Sequence, residues 1–449
     1  MMNWRTLIAA AMVSLLSFVL VGCGSTTMQL PMPPGAASLH REAPGRMELD
    51  IYWDATVSMQ GFTRLAAGNV YRTLPDTLGD MGSSLGDVHF FRFGEQVTPL
   101  EGREYRRFSN PECYTEMITS FGNVLDAADP GHLSVVVTDL FESEADWSNV
   151  TGKLRDKYFS EHLSVAIIGI KNSFSGDIFD VGLNAVAFSY DSGDDPGRFR
   201  PFYLFLMGPE THLRAFLEEW QRKNMWVGEM EYVVFSENFI LQEQALRMSD
   251  ATVKKNLFED RQLPKKDERL QEVGIGDNKK EVEIALPFEC RLDPYGCLRE
   301  EQLASLDKNV KIFVWQDGGS EEGDEGNWRE LAGRWDETKG NGAGISLLCN
   351  GGEGKQGSNC TLNLNFSPKD VFPSGKICAM QVQLAPGRRS LALPDWVGEW
   401  DMGSIDTGAD SFDGTRTVNL LRIATSLKDS LQVAAHATVA ELYLVVDGR

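Results

Sequence analysis

Basic residues are scarce in this chain: 43 Lys and Arg stand against 65 Asp and Glu, a formal net charge of −22. Such a protein has no electrostatic reason to hold nucleic acid or anionic lipid heads. Histidine is scarcer still. His40, His89, His132, His162, His212 and His436 are scattered, and none forms a metal pair such as H-E-x-x-H. Each reads as a solvated or core residue. No C-x2-C spacing exists, which argues against a thiolate zinc site. Past the first residues no apolar run reaches the length of about 20 that a membrane helix needs. Catalytic motifs are missing or misplaced. Gly82-Ser83-Ser84-Leu85-Gly86 has the spacing of a nucleophile elbow, but that motif follows a strand and precedes a helix. Here it follows a predicted helix and precedes a predicted strand, so it reads as a turn. Asp54 ends a predicted first strand, where aspartate-dependent phosphatases carry their nucleophile. Those use D-x-D, and Thr56 cannot replace the second acid at neutral pH. Gly354-Lys355 lacks the upstream glycine of a phosphate loop. No catalytic set emerges, and the chain is not expected to be an enzyme.

What is present begins with the leader, residues 1–23. Arg5 and the free amine form a positive n-region, and an apolar stretch follows from Leu7 to Leu20. The run ends in Leu20-Val21-Gly22-Cys23, which resembles a lipobox, the cleavage site of bacterial lipoprotein signals. The resemblance implies that Cys23 becomes the first mature residue and receives acyl chains, palmitate among them. Two or more such chains hold a protein stably at a membrane, at about 0.8 kcal/mol per buried CH2. An uncleaved anchor, or an ordinary signal with an accidental cysteine, is the alternative. Gly24 and Ser25 follow; in Gram-negative lipoproteins the absence of Asp there points to the outer membrane. The expected location is therefore the cell membrane or outer membrane, on the extracytoplasmic side. Residues 24–46, with Pro31, Pro33 and Pro34, are rich in Pro, Gly, Ser and Ala and read as a flexible tether.

With 449 residues, 42% of them hydrophobic, the chain can bury more than one core. Besides Cys23 it carries Cys113, Cys290, Cys297, Cys349, Cys360 and Cys378. An even number in an exported protein permits disulfides. Cys290–Cys297 and Cys349–Cys360 are the favoured short-range pairings, with other connectivities left open.

From Met47, apolar runs at Met47–Trp53, Val88–Phe93, Leu133–Val137, Leu163–Ile170 and Phe202–Met207 alternate with helix-like stretches. The latter are Phe62–Leu74, Thr119–Ala128, Trp147–Tyr158 and Thr211–Arg222. The alternation predicts an α/β domain over residues 47–222, around a largely parallel sheet covered on both faces. Ligands of such sheets sit beyond the carboxyl ends of the strands. There the chain reads Asp54-Ala55-Thr56-Val57-Ser58 after the first strand and Thr138-Asp139 after the third. Thr119 opens the helix between. Oxygen-bearing side chains at alternate positions of a strand-to-helix turn can converge on one hard cation.

This set resembles the von Willebrand factor A (VWA) family, whose metal-ion-dependent adhesion site uses D-x-S-x-S, a distant Thr and a further Asp. Asp54, Thr56 and Ser58 match the first motif, Thr119 the second and Asp139 the third. Phe91-Arg92-Phe93-Gly94 also looks like the family's strand ending in F-G. The resemblance covers roughly Met47 to Arg222, under half the chain. It implies a VWA-like, Rossmann-like, mostly parallel sheet flanked by helices. It also implies a divalent cation, Mg²⁺ first with Mn²⁺ or Ca²⁺ as alternatives, and capture of a protein partner through an acidic side chain. The sequence departs from the family in three places. Thr56 replaces the usual Ser but keeps an oxygen. Thr138-Asp139-Leu140 replaces T-D-G, leaving the backbone less free. The Thr119-to-Asp139 interval is short, which makes Thr115 the alternative ligand. Mg²⁺ demands an octahedron of oxygens and is commonly held by one or two carboxylates. Hydroxyl ligands neutralise no charge, so the ion stays electrophilic. The competing reading is a structural or envelope-assembly scaffold without metal, and an unrecognised hydrolase comes third.

Residues 223–449 change character. Asn224–Gln242 is strand-like and Glu243–Arg269 is charged, helical or linking. Alternating segments at Val282–Ile284, Val310–Trp315, Thr361–Phe366 and Ala379–Leu384 predict a β-rich, sandwich-like region. Asp317–Gly342 reads as a solvated loop without EF-hand spacing. A helix-like Thr417–Leu431 and a strand-like Val439–Val446 follow, and Trp396 and Trp400 read as core. The whole chain is expected to be a membrane-anchored binding, adhesion or scaffold protein of the cell envelope.

Overall fold

The apolar runs of the first half become strands β1 (Met47–Asp54), β2 (Gly86–Phe93), β3 (Val97–Pro99), β4 (Leu133–Thr138) and β5 (Ser164–Asn172). They continue with β6 (Ser175–Phe179), β7 (Ala187–Asp191), β8 (Arg200–Gly208) and β9 (Met230–Phe235). The structure, a computed structural model, describes residues 29–35, 46–65, 69–140, 144–179, 187–225, 228–240, 244–260, 263–276, 280–293, 295–317, 326–335, 343–350, 358–403, 413–434 and 438–449. The leader with Cys23, much of the expected tether and most of the 317–342 insert lie outside the described residues.

Seven strands form one sheet in the order β3-β2-β1-β4-β8-β5-β9, while β6 and β7 pair separately. Only the β1–β2 and β1–β4 pairings are parallel. The β2–β3, β4–β8, β8–β5 and β5–β9 pairings are antiparallel. The expectation of a VWA-like, mostly parallel sheet flanked by helices is therefore incorrect. The described residues are dominated by strands, in several mixed and antiparallel sheets. The reason is physical: uninterrupted apolar runs such as Ser134–Val137 report a strand buried on both faces and carry no information about its direction. β8 returns antiparallel between β4 and β5, and no local pattern announces that insertion.

The helices that matter to the site are α1 (Val70–Leu85), α2 (Phe121–Ala127), α3 (Glu144–Lys157) and α4 (Glu210–Arg222). The helix expected over 62–74 is shifted. Residues 57–63 form a 3-10 turn, and Asn69 then caps α1 by accepting from the Arg72 amide at 3.1 Å. Because α1 runs to Leu85, the Gly82–Gly86 stretch is its last turn rather than a free turn. On one face of the sheet, Tyr71, Leu74 and Met81 of α1 and Phe216 of α4 meet Ile51, Trp53 and Val137. On the other, Phe121 of α2 and Trp147 and Leu154 of α3 meet Tyr52, Val136 and Phe205.

That second core runs on without a break into the rest of the chain. Short strands β10 (Gln244–Ala245), β11 (Val253–Lys255) and β12 (Leu257–Glu259) occupy the segment expected to be helical or linking. Then come β13 (Leu270–Ile275), β14 (Val282–Cys290), β15 (Asp307–Gln316), β16 (Asn327–Glu330), β17 (Gly344–Asn350), β18 (Ser358–Phe366) and β19 (Ile377–Ala385). Two-residue β20 (Asp401–Met402) and β21 (Thr417–Val418) pair with each other, and α5 (Leu420–Ala434) and β22 (Ala440–Asp447) follow. One sheet has the order β12-β13-β22-β19-β15-β16, with β10 beside β22; the other is β11-β14-β18-β17. Ile284, Leu286, Leu362, Met380, Leu442 and Leu444 of these two sheets lie in the same core as Phe205 and Phe235 of the first sheet. Cys349 and Cys360, opposite one another on β17 and β18, form a disulfide. The other expected pair does not form: Cys290 and Cys297 are free and buried, and the Cys297 thiol donates to the Val234 carbonyl at 2.7 Å. Among the described residues no helix is long and apolar enough to cross a membrane.

Candidate metal centre

The carboxyl end of β1 delivers Asp54 into the interior, where it is 0% exposed. The chain then turns sharply. The Ala55 amide donates to the Phe93 carbonyl at 2.9 Å, continuing the pairing with β2, and the Val57 amide donates to the Glu116 carbonyl at 3.0 Å. A loop from residue 111 to 120 thus lies beside the turn and brings Thr119 to it.

Asp54 is ringed by hydroxyls. Its Oδ1 accepts from the Thr56 amide at 2.9 Å and from Thr56 Oγ1 at 2.7 Å. Its Oδ2 accepts from Thr138 Oγ1 at 2.9 Å and from Thr119 Oγ1 at 3.4 Å. Ser58 Oγ lies 3.0 Å from Thr56 Oγ1, and Thr119 Oγ1 lies 3.4 Å from Thr56 Oγ1. Asp54, Thr56, Ser58 and Thr119 are therefore one oxygen cluster. Thr115 is exposed, and none of the contacts to Asp54 comes from it. Thr138 belongs to the cluster although only its neighbour was singled out in the sequence; as the last residue of β4, beside β1, it was a findable candidate.

Asp139 is also 0% exposed, and its charge is felt at Asp54. Its carboxylate, however, faces Arg200, whose guanidinium nitrogen lies 3.5 Å away in an ion pair with both side chains 1% exposed. The same guanidinium sits 5.4 Å from the ring centre of Phe174. Arg200 begins β8, and only the antiparallel insertion of β8 beside β4 carries it there, so no sequence motif pointed to it. At Leu140 φ is +59°. An L-residue is strained there by about 1–2 kcal/mol. Leu140 is held by burial at 1% exposure and by its amide donating to Thr138 Oγ1 at 3.2 Å.

Burial, and then the charge of Asp139, push the Asp54 carboxyl up to about 7, against the lowering effect of the Thr56 bonds. Burial lowers the Arg200 guanidinium from its ordinary value, and Asp139 opposes that shift. The donor set fits a hard divalent cation: one buried carboxylate with no cationic side chain bonded to it among the described residues, and four hydroxyls, of Thr56, Ser58, Thr119 and Thr138, within hydrogen-bond reach of it or of one another. Among the described residues no three of His, Cys, Asp and Glu gather as metal ligands, and this cluster is built from hydroxyls around two carboxylates instead.

Of the discounted enzyme motifs, Gly354-Lys355 lies outside the described residues and the Gly82–Gly86 spacing falls at the end of α1. Ser84 donates to Glu219 at 2.8 Å from the end of a helix. Two of the scattered histidines do come together: His89 and His132 place Nδ1 at 3.1 and 2.9 Å from the two oxygens of buried Asp50. The β1–β2 register sets His89 opposite Asp50, and His132 lies just before β4. Trp396 and Trp400 are buried in the core with ring centres 5.1 Å apart. Comparison with known proteins finds no matching family model, no similar curated protein and no similar solved structure.

Proposed function

We propose that the protein is a lipid-anchored, extracytoplasmic binding protein that uses a divalent cation, Mg²⁺ first, to engage an acidic group on a protein partner. The observation that carries this reading is the convergence of the Thr56, Thr119 and Thr138 hydroxyls on the buried Asp54 carboxylate at a strand end, with the Ser58 hydroxyl against that of Thr56. Asp54, Thr56, Ser58 and Thr119 would hold the ion, with Asp139 behind them. Bound there, it would supply an electrophilic centre for a partner's carboxylate. The ion pair of Asp139 with Arg200 favours a second reading, an envelope-assembly scaffold without metal, because one of the two carboxylates already has its countercharge.

One experiment separates them. Millimolar Mg²⁺ or Mn²⁺ should raise the melting temperature, since a ligand that binds only the folded state stabilises it by mass action. At 100 times its dissociation constant the gain is about 2.7 kcal/mol. Asp54→Ala should remove that increment. A wild-type melt indifferent to Mg²⁺, Mn²⁺ and Ca²⁺ would favour the scaffold. The anchor is tested separately: Cys23→Ser should abolish incorporation of labelled fatty acid, and undiminished label on the variant would sink that half of the proposal.

A further inference from the structure

We infer that residues 29–35 are a docked strap that delivers lipid anchorage to the C-terminal sheet, making the outward face of that sheet the membrane-proximal side of the molecule. The membrane half of this inference rests on the anchor reading of Cys23; the docking half rests on contacts alone.

Leu30 is 2% exposed and packs with Leu270, Phe313, Trp328 and Tyr443 in a core separate from the other two. Its amide donates to the Pro264 carbonyl, and its carbonyl accepts from the Lys266 amide, both at 2.9 Å, forming a parallel bridge. Trp328 Nε1 donates to the Pro31 carbonyl at 2.7 Å. The Gln383 and Gln381 amides donate to the Gly35 carbonyl at 3.0 and 3.4 Å. The prolines suit this use. Each arrives with φ already fixed and without an N–H to satisfy, so the strap loses little freedom on docking. The face beneath it is apolar, and left bare it would be a hydrophobic patch of the kind soluble proteins avoid.

Docking changes the reach of the anchor. A free segment from Cys23 to Arg46 could extend about 80 Å, at about 3.4 Å per residue. From Cys23 to Gln29 the same spacing allows only about 20 Å. A chain held at Leu30 therefore keeps the C-terminal sheet close to the bilayer and fixes which side of the protein faces it.

Hydrogen exchange on the full mature chain reads the docking. The Leu30 and Lys266 amides should be protected, and exchange of both at free-peptide rates would overturn the strap. Leu30→Asp should abolish protection at Lys266 and increase binding of an apolar dye, whereas Pro34→Ala, at an exposed position, should change neither. If Leu30→Asp does not fold, the wild-type exchange rates still decide. Orientation is read with the acylated full chain on vesicles of phosphatidylethanolamine and phosphatidylglycerol. A fluorescent amino acid at position 330, on β16, should transfer energy to headgroup acceptors at least twofold more efficiently than one at position 72, on α1. Leu30→Asp should erase the difference. Equal transfer from both positions in the wild-type chain would overturn the orientation. A chain that carries no acyl group would overturn the anchor reading and the orientation together, while the exchange rates still judge the strap.

Discussion

Asp54 is where the stability of this protein and its proposed ligand meet. An Asp in an unfolded chain titrates near about 3.9, whereas burial and then Asp139 push this one up to about 7. The folded state thus holds the proton more tightly than the unfolded state. The group's contribution to stability is complete below the unfolded value and is lost as pH rises through the folded one. In chelator, the protein should lose stability between about pH 4 and pH 7 on account of Asp54. Asp54→Asn, which keeps the shape without the charge, should flatten that part of the profile. Melts at several pH values check this; an identical slope in the variant would mean that another group produces it. Asp54, Thr56, Ser58 and Thr119 could be found from sequence because three lie within five residues and the fourth stands just before helix α2, whose N-cap is Ser120. Arg200 could not. It reaches Asp139 only through tertiary pairing, and there it supplies the countercharge to one of the two carboxylates.

Among the elements, what local chemistry could specify came through and what required pairing partners did not. Strand positions follow from apolar runs, so β1, β4, β5 and β8 fall close to their expected bounds. Their directions depend on which strand inserts where, and β8 between β4 and β5 turns an expected parallel sheet into a mixed one. α1 starts later than the apolar pattern from residue 62 predicts, because Asn69 caps it and donates to the Phe62 and Leu65 carbonyls at 2.6 and 2.7 Å. Disulfides divide the same way. Cys349 and Cys360 are held opposite by a β-hairpin register, whereas Cys290 and Cys297, closer in sequence, are not joined. A cross-link that closes an 11-residue separation restricts the unfolded chain by roughly 3 kcal/mol. Reducing it should lower stability by up to that amount, read as a shift in denaturant midpoint between oxidised and reduced protein. Native-state alkylation should spare Cys297, whose thiol burial pushes up to about 12. An unchanged midpoint after reduction would show that the hairpin holds its register without the bond.

The first sheet continues past the boundary that the sequence suggests at residue 222. A break near residue 222 would fall before β9, which completes the first sheet as the partner of β5. Val233 and Phe235 of that strand are buried in the core shared with the C-terminal sheets. Trp396 and Trp400 reach back across the same region. A Cβ on Gly169 of β5 would come within 2.7 Å of the Trp400 ring, and Trp396 Nε1 donates to the Tyr232 carbonyl at 3.2 Å. Helix α5 packs on α3 from the same side. A chain cut after residue 225 would therefore expose β5 as a bare edge and uncover apolar side chains across one face of the sheet. Each large one left in water forfeits about 1.5–3 kcal/mol, so a handful exceeds the 5–15 kcal/mol of net stability that is typical of a domain, in round numbers about 10. Residues 46–225 alone should accordingly fail to melt cooperatively and should bind apolar dyes, whereas the full chain should unfold in one transition that is the same by near-UV and far-UV circular dichroism. A sharp, reversible melt of the 46–225 fragment, with dispersed amide resonances, would establish an independent first domain and make the shared core a matter of contact rather than of stability.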